Sequence, residues 1–265
     1  MSTHSDPTVF HTRTAQMNLP GIRRLSIRQP LHWLQAGGRD LLKAWPISLF
    51  YGVTFALIGY ALVHGAWTRP HLAMALTSGF LFVAPVLATV FYSLSHRLEQ
   101  DRKLPNLFAP LLSWRANPIS LGLYALMLVF ILTIWERTSA ILVGLFLNES
   151  GIGSLSDLIS LEAVQQHTGF MLTYLAFGGV LALAVFSLSV VSLPMLLHRK
   201  VDFATAMVTS FTTVKVNFAV MLLWGALIAG LIAVGVATDF IAMAVIFPWL
   251  GHASWHAYRA LIERE

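Results

Sequence analysis

The sequence predicts an all-α membrane protein. Six transmembrane helices form three repeated hairpins, each preceded by an amphipathic helix lying on the cytoplasmic face. Three observations lead there. Hydrophobic residues make up 57% of the 265 residues and charged residues only 11%, whereas soluble domains carry about 25% charged residues. The mean hydropathy is +0.71. Several runs reach the roughly 20 apolar residues that a hydrocarbon core of about 30 Å requires, and each has to be helical because lipid offers the backbone no hydrogen bonds. Finally, one threading of those runs places 15 of the 17 Lys and Arg residues on a single side.

Residues 1–21 read as a disordered polar tail without the apolar centre of a cleavable signal peptide. Residues 22–265 form the membrane domain. Its first span, 47–67, is "ISLFYGVTFALIGYALVHGAW", and its second, 72–95, is "LAMALTSGFLFVAPVLATVFYSLS" with its leading His left outside. The third covers 118–136, the fourth 170–197 and the fifth 217–238. The sixth, 240–258, reaches length only by including His252 and His256. Between spans three and four, the hydrophilic 147–169 makes a periplasmic loop. Ahead of it Glu136 and Arg137 end span three with Trp135 as a belt aromatic, and the apolar 139–147 either prolongs the helix or lies on the outer surface.

With both termini in the cytoplasm of a bacterial inner membrane, only Arg69 and Arg137 face outward. That asymmetry follows the positive-inside rule. The net charge of +5 then belongs to cytoplasmic loops beside anionic headgroups, not to a nucleic-acid surface.

The repeat is visible in "KAWPISLFYG" (43–52), "RANPISLGLY" (115–124) and, more faintly, "KVNFAVMLLW" (215–224). A helical apolar stripe precedes each opening: Leu31, Leu34, Leu41 and Leu42, then Leu104, Leu107, Phe108, Leu111 and Leu112, then Phe203, Ala206, Met207, Phe211 and Val214. The even-numbered spans carry Pro85, Pro194 and Pro248, each expected to kink its helix. Gly178 with Ala182, and Ala226 with Gly230, are spaced for close helix packing within the chain or at a dimer interface.

The candidate intramembrane polar site is His252, His256, His198, His96 and Arg259. His252 and His256 are four apart and Arg259 three further on, so they share one helix face. A rise of about 1.5 Å per residue from Phe240 puts His252 roughly 18 Å and His256 roughly 24 Å from the outer surface. His96–Arg97 and His198–Arg199 repeat one dipeptide, so four histidines are expected to gather on the cytoplasmic side. Three roles stay open for them: interfacial anchors and cross-helix hydrogen bonds, metal or haem ligation, or a proton or substrate pathway. The chain has no cysteine, which removes thiolate sites and disulfides. No Ser–His–Asp set or carboxylate pair is expected inside the spans, although Asp239 and Glu136 lie at their outer edge.

Three segments, "RRLSIRQPLHWLQAGGRDLLKAWPISLFYG", "SLSVVSLPMLLHRKVDFATAMVTSF" and "FPWLGHASWHAYRALI", together resemble a bacterial family of predicted integral membrane proteins, a domain of unknown function. Its members are sometimes labelled cytochrome c oxidase subunits. The resemblance runs from Ile22 to Ile262 and is most specific at the histidine-rich ending. It implies a proteobacterial-type inner membrane and no established activity. A catalytic haem–copper subunit needs more helices and more buried histidines than this chain offers, and a copper-A domain needs cysteines. The label therefore implies an accessory or assembly role.

The functional expectation is a non-enzymatic accessory, assembly or scaffold protein linked to a respiratory oxidase or another membrane protein, with no cofactor and no nucleic acid. One alternative is a small-molecule transporter with its site between the repeats. Another is a haem or metal binder using His198, His252 and His256.

Overall fold

The computed structural model describes residues 19–66, 70–147 and 165–263. Residues 1–18 of the expected polar tail and most of the expected 147–169 loop lie outside the described residues. The described chain is helical: α1 (Gln29–Lys43), α2 (Trp45–Gly65), α3 (Pro70–Leu87), α4 (Thr89–Glu99), a 3-10 turn (Ala109–Ala116), α5 (Pro118–Leu147), α6 (Thr168–Ser189), α7 (Ser192–His198), α8 (Phe203–Val216), α9 (Phe218–Ala237) and α10 (Met243–Leu261). Proline in the first turn, where its missing N–H costs nothing, starts α1, α2 and α5. Asp202 caps α8 by accepting the Thr205 N–H at 2.9 Å.

Among the described residues, four segments are long and apolar enough to cross a membrane: α2, α5, the Thr168–His198 stretch of α6 and α7, and α9. The expected second and sixth spans, α3 with α4 and α10, are not among them. The expected second helix is interrupted at Ala88, so α3 has 18 residues and α4 continues separately. In α10, His252, His256 and Arg259 dilute the apolar content. The expected fourth helix is likewise divided into α6 and α7.

The three prolines behave differently from one another. Pro85 lies within α3 just ahead of the Ala88 break. Pro194 falls in the first turn of α7, directly after a break. Pro248 sits inside α10, which continues through it. A 30-residue α5 is about 45 Å long, so 139–147 prolongs the helix. The amphipathic helix expected over 104–112 does not form: 102–106 are irregular and a 3-10 turn follows, as Pro105 and Pro110 disfavour a continuous helix.

Helix α10 is the central element. It lies antiparallel to α2, with Gly59 against Phe240 at one end and Ser48 against His252 at the other. It lies parallel to α1, where the Trp249 indole donates to the Leu34 carbonyl at 2.7 Å and Asp40 meets His256. It is also parallel to α4, from Phe91 beside Gly251 to Glu99 beside Arg259. Helices α5 and α6 pair antiparallel, with Trp135 against Gly178 and Phe146 near Gly169. The largest buried cluster joins Trp33, Tyr92, Tyr124, Leu193, Trp224 and Trp255, where α1, α4, α5, α7, α9 and α10 converge. Away from it α2, α5, α6 and α9 expose rows of Leu, Ile, Val and Phe, as lipid-facing surfaces do.

Of the two small-residue pairs, Gly178 packs on Trp135. Ala226 and Gly230 face outward, and a Cβ added at Gly230 would meet open space, so that pair does no intrachain packing.

Just beyond the C-terminal end of α10, the end that carries His256 and Arg259, the antiparallel bridge Ile22–Ile262 joins the two ends of the described chain. Arg23 N–H donates to the Leu261 carbonyl at 2.8 Å and Glu263 N–H to Gly21 at 2.9 Å.

Candidate functional site

Five side chains from four helices form one hydrogen-bonded line. The His252 ring, 0% exposed, lies between two serines: Ser48 Oγ on α2 is 2.9 Å from Nε2 and Ser95 Oγ on α4 is 2.8 Å from Nδ1. Ser95 donates its hydroxyl proton to Asp40 Oδ2 on α1 at 2.6 Å, and His256 Nε2 donates to the same oxygen at 2.8 Å. The His256 side chain is 29% exposed and that of Asp40 10%. The line therefore runs from a partly open imidazole to a sealed one.

These bonds fix proton positions. Ser95 has one proton and spends it on the Asp40 carboxylate, so it can only accept from His252, and Nδ1 must carry a hydrogen. Nε2 then accepts from Ser48 when the ring is neutral and donates to it when the ring is charged. Asp40, on α1 outside the candidate spans, feels opposed effects. Burial pushes its carboxyl up, while the hydrogen bonds from His256 and Ser95 pull it down and prevail, so the net shift is below its ordinary value.

A second cluster lies beside the first. The His96 and His198 rings are edge to face at 4.9 Å, both against Trp255, and His198 Nδ1 is 2.9 Å from the Tyr258 hydroxyl. His96 Nδ1 is buried without a hydrogen-bond partner among the described residues. Arg259 holds Glu99 through Nη2 to Oε1 at 2.8 Å and Nε to Oε1 at 3.0 Å, and the Trp255 indole donates to Glu99 as well.

The four expected histidines thus fall into two sets: His252 bonds Ser48 on α2 and Ser95 on α4 while His256 bonds Asp40 on α1, and His96 and His198 pack on Trp255. The trio His198, His252 and His256 is not brought to one point. Among the described residues, no group of three or more His, Cys, Asp or Glu is placed to hold a metal ion.

Residues 73–198 match a family model described as a predicted integral membrane protein (DUF2189). The match agrees in kind with the resemblance read from the sequence but is shorter, taking in just under half of the chain. No curated protein and no solved structure matches the chain. The DUF2189 region runs from α3 to α7. It supplies Ser95, His96, Glu99 and His198, whereas Asp40, Ser48, His252, His256 and Arg259 come from helices on either side of it.

Sequence reasoning found the histidines and Arg259 but missed Asp40, Ser48, Ser95, Glu99 and Tyr258. The usable signal for Asp40 was an acidic residue on α1 in register with Trp33 and Gly37, at spacings of seven and three, which puts a carboxylate on the buried face of that helix. Asp239 and Glu136 stay apart from the site: Asp239 is 3.7 Å from His64, and Glu136 neighbours Arg137 at 3.3 Å.

Chemically, Ser48–His252–Ser95–Asp40 is ordered like a serine nucleophile, a base and its orienting acid, with an extra hydroxyl interposed. It differs from a Ser–His–Asp set inside the spans, because Ser95 separates the imidazole from the carboxylate and Asp40 lies on α1, outside the candidate spans. Ser48 and His252 are both 0% exposed, so the hydroxyl a substrate would have to reach is sealed off.

Proposed function

We propose that this is a non-enzymatic multi-pass protein of a bacterial inner membrane that acts as an accessory, assembly or scaffold component for another membrane protein. The observation that carries this reading is how the buried polar side chains spend their bonds. Ser48, His252, Ser95, Asp40 and His256 satisfy one another across α1, α2, α4 and α10. Polar groups arranged so lock helices in place and present no open nucleophile.

The proposed topology has six crossings in three hairpins with both ends cytoplasmic. The bridge between Ile22 and Ile262 supports it, since ends bonded to each other share a side and the number of crossings is even. Helices α3–α4 and α10 support it too. Each follows α2 from the Gly59 level to the Ser48 level, so each returns across whatever thickness α2 spans. The order of interfacial segment, long helix and returning helix occurs three times, with the 3-10 turn as the middle interfacial segment.

Affinity purification of the full chain from native membranes in mild detergent, followed by mass spectrometry, is expected to return a stoichiometric membrane-protein partner. The oxidase label makes a respiratory oxidase the first to look for. A chain that purifies alone across several mild detergents overturns the reading. So does covalent labelling of Ser48 by a serine-directed fluorophosphonate.

One observation favours a second reading, a proton-coupled transport site: the line is continuous from the partly exposed His256 to the sealed His252. Proton flux in proteoliposomes abolished by His252→Ala supports it, and flux indifferent to that change removes it. An absorbance scan and elemental analysis of the same preparation test the haem or metal alternative.

A further inference from the structure

Outside the histidine clusters, two adjoining pockets share Phe211, one cationic and one apolar, and together they are treated as the two ends of one groove. The cationic end is lined by Arg24, Phe211, Thr212, Lys215 and Val216, and the apolar end by Leu183, Ala184, Ser187, Leu188 and, again, Phe211. Their volumes of about 540 and 320 Å³ are those of small-ligand sites.

Arg24 is held in place by its neighbours. Asn217, 5% exposed, accepts the Leu25 N–H through Oδ1 at 2.9 Å and donates to the Arg23 carbonyl at 2.9 Å. The residues on both sides of Arg24 are thereby pinned to the start of α9, next to Lys215. Lys215 Nζ lies 5.9 Å from the centroid of the Phe211 ring. No carboxylate lines either end of the groove. Two exposed cations lining one pocket that no carboxylate lines create a local field that draws an anion.

The apolar end lies on α6, part of a candidate span, and leads from Leu188 back to Leu183, away from the α7 end. Ser210 on α8 donates to the Ser187 carbonyl at 2.8 Å, which keeps the two walls of the groove together.

We propose that this groove binds one anionic phospholipid, its phosphate between Arg24 and Lys215 and an acyl chain along Leu188, Ala184 and Leu183. A soluble phosphate would use only the cationic end. The apolar continuation on a membrane helix, joined through Phe211, selects a lipid. The site depends on α6 crossing the membrane and not on the accessory role proposed above.

Native mass spectrometry of the full chain in detergent, titrated separately with phosphatidylglycerol, phosphatidylcholine and inorganic phosphate, tests it. Phosphatidylglycerol is expected to be retained in preference to the other two. Arg24→Gln with Lys215→Gln is expected to weaken that retention, roughly fivefold for each cation removed. Ala184→Trp, which fills the apolar end, is expected to weaken it with both cations intact. Melting temperatures of the lipid-free variants show whether each is folded. Equal retention of the two lipids, phosphate bound as well as phosphatidylglycerol, or folded variants that bind like the parent, each overturns the proposal. Purification with a protein partner, or without one, leaves this outcome unaffected, so the two tests fail separately.

Discussion

Asp40 Oδ2 receives two hydrogen bonds, from Ser95 and His256, in a side chain only 10% exposed. Stripping a buried group of such a partner costs about 1–3 kcal/mol, so this oxygen is where the network is most sensitive. Its pH dependence has a definite sign. The ordinary value is 3.8, and in the folded chain burial raises it less than the bonds from His256 and Ser95 lower it. A carboxyl whose folded pKa lies below its unfolded one adds stability that is complete above the unfolded value and is lost as pH falls through the folded value. Asp40→Asn is therefore expected to lower stability by about 1–3 kcal/mol at neutral pH. The gap between parent and variant should hold constant down to about pH 5 and narrow below about pH 4. Unfolding in detergent across that range measures it. A gap that stays constant into strong acid would show that the ionised carboxylate is not the source.

At the level of elements, α10 meets its neighbours through glycines. A Cβ on Gly37 would sit 2.5 Å from the Ala253 backbone nitrogen, and one on Gly52 would collide with the Ala244 carbonyl. Backbone cannot move aside as a flexible side chain can, so α1 and α2 approach α10 closely only because these two positions lack a side chain. Gly37→Val and Gly52→Val are expected to lower the melting temperature in detergent markedly. Gly122→Ala and Gly144→Ala, where an added Cβ meets nothing within 4 Å on α5, should be neutral or stabilising by up to about 1 kcal/mol through helix propensity. If all four behaved alike, close backbone approach would not be what fixes α1 and α2. The same helices mark the limit of what the sequence discloses. Long apolar runs are a local signal, so α2, α5, α6 and α9 were legible, whereas the sequence left open whether 139–147 extends α5 or lies on the outer surface. The breaks at Ala88 and ahead of α7 were not, since each is one or two residues within an otherwise apolar stretch. The histidine spacing within α10 was legible for the same local reason. Its partners were not: Ser48 lies 204 residues from His252, Ser95 157 residues from it, and Asp40 216 residues from His256. Serine and aspartate in themselves carry no mark of such pairing.

For the whole molecule, everything about sidedness turns on whether its two ends meet. Ile22 and Ile262 face each other in an antiparallel bridge flanked by the hydrogen bonds of Arg23 and Glu263. Residues so paired have Cα atoms about 4.5–5.5 Å apart, within the roughly 4.4–6.8 Å that a disulfide spans. The chain has no cysteine, so any bridge in a doubly substituted chain comes from the introduced pair alone. Ile22→Cys with Ile262→Cys is expected to close on mild oxidation of the purified protein. The product should migrate faster without reductant and yield one cross-linked peptide joining the two ends, while each single substitution leaves migration unchanged. Closure within one chain, independent of protein concentration, requires both ends on one face and hence an even number of crossings. That count holds for the four segments apolar enough to be recognised alone and for the six of the proposed hairpins. Reporters fused at the two ends then separate the remaining choices. Cytoplasmic signal from both agrees with the distribution of Lys and Arg, periplasmic signal from both inverts the threading, and opposite signals contradict the bridge itself.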